Sequence, residues 1–476
     1  MNPEALFEVD VRAVAPELLT AFVGSDRADR FAQAAARARE RLDGRRVINV
    51  NSTASGGGVA ELLQTLLAYA RGVGIDTRWL VIKGDAGYFE ITKRIHNHLY
   101  GTRGDGGLLG PAERLHYEEI AVRNVAGLRA VVRSGDIVIL HDPQTAALAL
   151  AELPSGVSIV WRCHVGIDTQ NEHSLRAWEF LRPYLENADG FVFSRAQFAP
   201  AWVTSDRLAV IPPSIDPFSA KNALIEPDDV HRLLQDVGLL SGGGGADGAI
   251  SFTRRDGSKG TVTAPAKLLG TGPPPPPTAP IVLQASRWDA MKDMRGVMIG
   301  FVDGIAAHTD AHLVLAGPES SGVADDPEAD EVLRECLETW SRLPDAARRR
   351  VHLACVPMTD GDEAAAVVNA LQRHATVVVQ KSLAEGFGLT VTEAMWKARP
   401  VVGSRVGGIV DQIISGETGW LVEAHDLMQY AEAVRSLLDD EAAARSMGAA
   451  GRERAAAEFL GDRHLEQWAK LFERLA

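Results

Sequence analysis

A chain of 476 residues is too long for one hydrophobic core and predicts two domains of ordinary size. Its 46% apolar and 24% charged residues suit a soluble globular enzyme, and a net charge of −14 argues against nucleic acid or an anionic membrane as the main partner. An anionic substrate then needs cations gathered locally. The opening MNPEALFEVD has neither a basic region nor an apolar run, and no apolar segment reaches bilayer length, so the expected location is the cytoplasm. Cys163, Cys336 and Cys355 are odd in number and widely spaced, which indicates neither a disulfide framework nor a zinc site.

Residues 1–46 read as helix-like and rich in Ala and Arg. From Val47 short Val/Ile-rich runs alternate with helical stretches: VINVNS (47–52), a helix over 58–71, TRWLVI (77–82), a helix around 118–132, DIVILH (136–141), VSIVWRC (157–163), a helix near 175–185 and GFVFS (190–194). That alternation predicts a parallel sheet covered on both faces, hence a doubly wound first domain over 1–213. IPPSIDP (211–217) reads as a stiff linker. The stretch 241–280, with SGGGGADG and five consecutive prolines from Pro273, reads as a low-complexity surface insert unable to pack a core. Alternation then restarts with IVLQAS (281–286), a helix after Lys292, HLVLAG (312–317), a helix over 330–340, VHLACV (351–356), a helix over 363–374, TVVVQ (376–380), a helix over 389–397, PVVGS (400–404) and GWLV (419–422). A second doubly wound domain over 214–456 follows, and a terminal helix over about 457–476 is expected to pack back on the first. Ligands of open parallel sheets bind at the carboxyl ends of the strands, so the expected site is a cleft between two such ends.

Every motif with chemical potential falls at such an end. SGGGVAE (55–61) follows the first Val-rich strand and opens a helix; its glycines let backbone approach a diphosphate, although a glycine-rich turn can equally be structural. It is not GxGxxG, and no GxxxxGK[ST] occurs, so nicotinamide and P-loop chemistry are weak readings. SRWDAMK places Arg287 and Lys292 where a strand gives way to a helix, a fork and a point charge suited to a leaving phosphate. HDPQT and WRCHVG end two further strands; Asp142 and His164 either hold hydroxyls of a neutral sugar or are a helix cap and a packed histidine. In QKSLAEGFGLTVTE (380–393), Glu385 lies on a strand-to-helix loop and Glu393 one turn into the helix. The amides of Gly388, Leu389 and Thr390 are donors of the helix start. Two carboxylates flanking an anion-binding helix start fit a sugar nucleotide, with sugar hydroxyls on one acid and ribose hydroxyls on the other.

EGFGLTVTE matches the Glu-x7-Glu motif of retaining GT-B glycosyltransferases, whose phosphate-binding pair Arg287 and Lys292 resemble. STASGGGVAELL, EITKRIHNHLYG, HDPQT, WRCH, IPPSIDP, DDPE and VQKSLAEGFGLTVTEAMWK are similar to the trehalose synthases that transfer glucose from a nucleotide diphosphate, and to retaining trehalose phosphorylases. The resemblance runs from residue 47 to about 425 and departs at 241–280. It implies an α/β GT-B fold of two Rossmann-like domains facing across a cleft. Gly57, Gly58, Arg287 and Lys292 are implied to hold the diphosphate, and Glu385, Gly386, Phe387, Gly388, Leu389, Thr390 and Glu393 the rest of the donor. Asp142, Gln144, His164, His96 and Asn97 are implied on the acceptor side. Arg287, Lys292, Glu385, His164 and Asp142 are the implied catalytic set.

The implied reaction makes trehalose from NDP-glucose and glucose with retention, the nucleotide sugar being a co-substrate. No further cofactor is implied and no metal, Mg included. A homodimer is compatible with the resemblance. The rival readings are phosphorolysis of trehalose to α-glucose 1-phosphate and glucose, epimerisation of a sugar nucleotide, and a catalytically silent sugar-nucleotide scaffold. The donor's base is expected to meet backbone groups in loops such as 357–362.

Overall fold

Alternating β-branched runs and helices build two seven-stranded sheets, one in each of two units. In this computed structural model the described residues are 6–54, 58–242, 250–254, 256–270, 272–319 and 328–475. The first unit comprises Met1–Ser214, Glu385–Phe387 and Phe459–Ala476, and the second Ile215–Ala384 with Gly388–Glu458.

The first sheet holds β1 (Phe7–Val9), β2 (Val47–Asn51), β3 (Thr77–Val81), β4 (Ile137–His141), β5 (Ser158–Cys163), β6 (Gly190–Phe193) and β7 (Leu208–Val210). Their order is β1-β3-β2-β4-β5-β6-β7, all parallel except the antiparallel edge β1. Every residue of β2, β4 and β6 is buried, as a sheet covered on both faces requires. Side-chain alternation divides the sheet between two cores. Ile48, Val50, Val138, Leu140 and Trp161 join the core on one face. Val47, Ile137, Ile139, Val160 and Val192 pack on the other beneath Trp468, Leu471 and Phe472 of the C-terminal helix Gly461–Leu475. That helix is fastened at its start: Asp462 pairs with Arg27, and Arg463 donates to the carbonyls of Pro212 and Pro213 at 2.7 and 2.8 Å.

The second unit adds the hairpin strands β8 (Ser251–Thr253) and β9 (Lys259–Thr261), then β10 (Lys267–Leu269), β11 (Ile281–Ala285), β12 (His312–Pro318), β13 (Val351–Val356), β14 (Val377–Gln380), β15 (Val401–Ser404) and β16 (Trp420–Val422). The order of its large sheet is β10-β13-β12-β11-β14-β15-β16, with β10 antiparallel and the rest parallel.

Three local expectations need correction. The N-terminal stretch is not all helix, because Phe7–Val9 pairs with β3 as an edge strand. The helix around 118–132 begins a full two turns earlier, at Pro111, where Gly110 ends extended chain and Glu113 accepts its amide. Part of the 241–280 insert is built into the second unit: β10 extends the sheet along β13, Val262 is buried, and the Glu363 carboxylate accepts the amides of Thr263 and Ala264. Residues 243–249 lie outside the described residues.

In each sheet the winding direction reverses once, between β2 and β4 in the first and between β11 and β14 in the second. Such a switch point leaves the carboxyl ends of the two strands unblocked by a crossover, which is where open α/β sheets bind ligands. The motifs HDPQT, SRWDAMK and AEGFG all leave strands that border these two points.

Candidate active site

In the first unit, Asp142 and His164 come together although 22 residues apart, because β4 and β5 are hydrogen-bonded neighbours. Asp142 takes a left-handed backbone conformation, φ 61°. Its carboxylate accepts from the His164 amide at 2.7 Å through Oδ1, and Oδ2 lies 2.9 Å from His164 Nδ1. Burial works to raise the Asp142 pKa, but His164 outweighs it through charge and hydrogen bonds and holds the carboxyl at about 2. The two side chains keep 14% and 11% exposure, so the pair is sheltered but reachable. Asp142 does not cap a following helix; Thr145 Oγ1 turns back on the His141 carbonyl at 2.8 Å.

Two buried tyrosines fix this turn from below. Tyr88, from the helix Ala86–Leu99, donates to the Gln144 carbonyl, and Tyr117, from the helix Pro111–Val131, to that of Pro143. Their rings stack at 5.6 Å. Gln144 Oε1 is buried without a partner among the described residues. His96 and Asn97 ride on Ala86–Leu99, His96 edge-on to Tyr100 at 5.0 Å. Gly386, grouped with this unit, has no room for a side chain: a β-carbon there would stand 2.2 Å from the His164 carbonyl and 3.2 Å from Tyr100 Oη. Glu385 beside it is buried. Gly58 begins the helix Gly58–Gly72 after β2, whereas Gly57 lies outside the described residues.

In the second unit the loops after β11 and β14 are stitched together. Gln284, the fourth residue of β11, accepts the Lys381 amide at 3.0 Å and donates to the Lys292 carbonyl at 2.6 Å. Leu383 donates to the Met291 carbonyl at 2.7 Å. These bonds bring the turn that carries Lys292 against the segment that leads to Gly388. Gly388 is left-handed, φ 85°, and caps the helix Leu389–Trp396, whose first amides have no partner one turn earlier. Arg287, 40% exposed at its side chain, meets Asp289 at 2.9 Å. Sequence reading passed over Lys381, a fully buried cation paired with Asp293; Asp293 in turn caps the helix Met294–Gly304.

Glu393 is buried one turn into its helix, with Lys221 Nζ 3.8 Å from its carboxylate. Lys397, one turn further on, was also missed by sequence reading. Its ammonium meets Gln372 Oε1 at 2.8 Å, Asn222 Oδ1 at 3.0 Å and the Glu393 carbonyl at 3.1 Å. Burial lowers its pKa to about 7, Glu393 opposing the fall and Arg373 and Lys221 adding to it. A lysine following EAMW gives no sign in sequence that it will be enclosed.

The α,α-trehalose-phosphate synthase (UDP-forming) from Burkholderia vietnamiensis shares this architecture at TM-score 0.63 over 90% of this chain and 98% of that one, with 14% identity. Residues 273–454 match the family described as glycosyl transferases group 1. The class is thus a GT-B glycosyltransferase, as the Glu-x7-Glu spacing led one to expect. Residues 49–200 match the family described as trehalose synthase, N-terminal domain. A trehalose synthase from Rubrobacter xylanophilus is 35% identical over 91% of this chain and 92% of its own length. The chain belongs to the trehalose synthase family of hexosyltransferases. A trehalose phosphorylase from Grifola frondosa is a more distant relative, 24% identical over 82% of this chain and 52% of that protein.

Proposed function

We propose that the protein transfers an α-glucosyl group from a nucleoside diphosphate glucose to the anomeric hydroxyl of glucose, giving trehalose and free nucleoside diphosphate. The observation that carries this reading is the pairing of family membership with chemistry at the two switch points, an acid–imidazole pair on one sheet and cations beside a glycine-opened helix on the other.

Each residue receives a task suited to its chemistry. Arg287 and Lys292, with the amides of Leu389 and Thr390, hold the diphosphate and stabilise the charge that grows on it. Glu393 accepts the ribose hydroxyls. Glu385 faces the transferred glucose, and the lone pairs that Asp142 leaves free accept sugar hydroxyls. Gln144, His96 and Asn97 flank the acceptor. The acceptor oxygen attacks the anomeric carbon from the face that the diphosphate leaves, so the configuration is retained. The bond from carbon to phosphate oxygen breaks with its electron pair going to phosphate, and that phosphate takes the acceptor's proton. Similarity to the phosphorylase supports a second reading, in which inorganic phosphate takes a glucosyl group from trehalose to give α-glucose 1-phosphate and glucose.

The test is incubation with glucose and a panel of nucleoside diphosphate glucoses, beside an arm with trehalose and phosphate, followed by disaccharide and phosphate-ester analysis. A 1,1-linked disaccharide formed in step with nucleoside diphosphate is expected. A changed monosaccharide still attached to nucleotide would identify an epimerase, and glucose 1-phosphate made only in the phosphate arm would identify the phosphorylase.

A further inference from the structure

Arg162, the fifth residue of β5, is buried to 1% exposure directly beneath His164. Its Nε donates to His164 Nε2 at 2.7 Å, Nη2 to the Ile211 carbonyl at 3.3 Å, and its guanidinium lies 5.3 Å from the Trp468 ring. A guanidinium has donors and no acceptor. His164 Nε2 therefore carries a lone pair and the ring proton sits on Nδ1, where it is donated to Asp142 Oδ2 at 2.9 Å. The hydrogen-bond direction of one arginine assigns the tautomer of the histidine.

We propose that Arg162 is a positioning residue: by donating to Nε2 it holds His164 as the neutral Nδ1–H tautomer and keeps it aimed at Asp142. This rests on the reading that Asp142 meets a sugar hydroxyl. The lock leaves Asp142 an oriented, ionised acceptor and leaves the imidazole no acidic Nε2–H. It also gives a task to an arginine that is 1% exposed and, among the described residues, makes no ion pair with a carboxylate, although the Asp142 charge favours its protonated form.

The surroundings support the neutral ring. Burial lowers the His164 pKa first, Asp142 opposes this, and Arg162 adds to the fall. Around it stand His141, stacked at 5.4 Å, and Asp142 from the end of β4; Cys163 and Arg162 from β5; His464 from the C-terminal helix, with Arg463 acting on Arg162 and His464; and the segment Glu385–Phe387, whose Gly386 abuts the His164 carbonyl. His464 also bonds Ser214 at 2.9 Å through Nδ1. Burial holds Arg162 itself down to about 9, still charged at neutral pH.

The test uses the full-length protein with 15N-labelled histidine. In the wild type, the His164 resonances are expected to report a neutral ring protonated at Nδ1 at neutral pH, taking up a second proton only below the ordinary imidazole range as the pH is lowered. In R162M the cation is gone, so the ring should titrate at a pH higher by roughly one unit. The acid limb of kcat/KM for trehalose formation should move the same way, and R162K should restore part of the shift. A wild-type ring protonated at Nε2, or an R162M ring that titrates as the wild type does, overturns the proposal; the first result is decisive even if R162M fails to fold. Ring behaviour as expected in a protein that turns over no nucleoside diphosphate glucose supports the proposal and refutes the reaction instead.

Discussion

Asp142 and His164 in the first unit are bonded to each other at two points and braced from beneath by Arg162, Tyr88 and Tyr117. Arg287 in the second unit keeps a side chain 40% exposed beside Asp289, and the loops around it are tied at backbone groups: the Gln284 side chain joins the Lys381 amide and the Lys292 carbonyl, and the Leu383 amide joins the Met291 carbonyl. On the function proposed above, the difference follows from what each region binds. A neutral hydroxyl is recognised only by an acceptor already in place, because a misaligned hydrogen bond contributes almost nothing. A multiply charged diphosphate attracts flexible cations from some distance and orders them on arrival. On the proposed assignment, the first region is held ready for a hydroxyl and the second awaits its diphosphate.

If this contrast is right, the largest loss comes from the phosphate side. Arg287→Ala or Lys292→Ala should each cost ~3 kcal/mol or more of barrier, on the order of a hundredfold in kcat, measured by release of nucleoside diphosphate. Near-normal turnover in both variants breaks the comparison. Next is Asp142→Asn, which tolerates the left-handed backbone but removes the charge; kcat/KM for glucose should fall roughly tenfold to a hundredfold, with fold unchanged by circular dichroism. Glu393→Ala should raise the KM for the nucleotide sugar about tenfold and leave glucose 1-phosphate binding alone, since only the nucleotide has a ribose. An equal loss for both ligands would remove Glu393 from the ribose.

Two smaller effects sharpen the picture through stability. Lys397 has its folded pKa depressed to about 7, below its unfolded value of 10.5, so between those limits the unfolded chain binds more protons and stability rises with pH. Urea unfolding should show the wild type gaining up to about 1.4 kcal/mol per pH unit above pH 7, and Lys397→Met losing that slope. Glu363→Gln weakens the bonds to Thr263 and Ala264 and should cost about 1 kcal/mol, read as a small drop in Tm with turnover intact. A large loss of turnover would give the 241–280 segment a part in the reaction.

The strand cores could be read from sequence because Val47–Asn51, Val351–Val356 and their neighbours are buried on both faces and so carry unbroken apolar runs. The switch-point motifs were legible for the same reason, since a strand end announces itself. Edge strands were not: Phe7–Val9 and Lys267–Leu269 are three residues each, half exposed, and take their shape from a neighbour rather than from their own pattern. The supporting charges were hidden more deeply. Lys381, Lys397 and Arg162 look like ordinary surface cations in a list of residues, and only the packing around them shows that each is enclosed. Asp142 and His164 stood at the ends of two strands, but their mutual orientation depends on a left-handed turn at Asp142 that no composition signal marks.

The central claim is that the second unit's switch point holds the donor's diphosphate. A crystal structure with the nucleoside diphosphate bound tests it directly. The account predicts phosphate oxygens within hydrogen-bonding distance of Arg287, Lys292 and the amides of Leu389 and Thr390, with the ribose on Glu393. A diphosphate bound elsewhere, with Arg287 and Lys292 out of reach of it, would contradict the account.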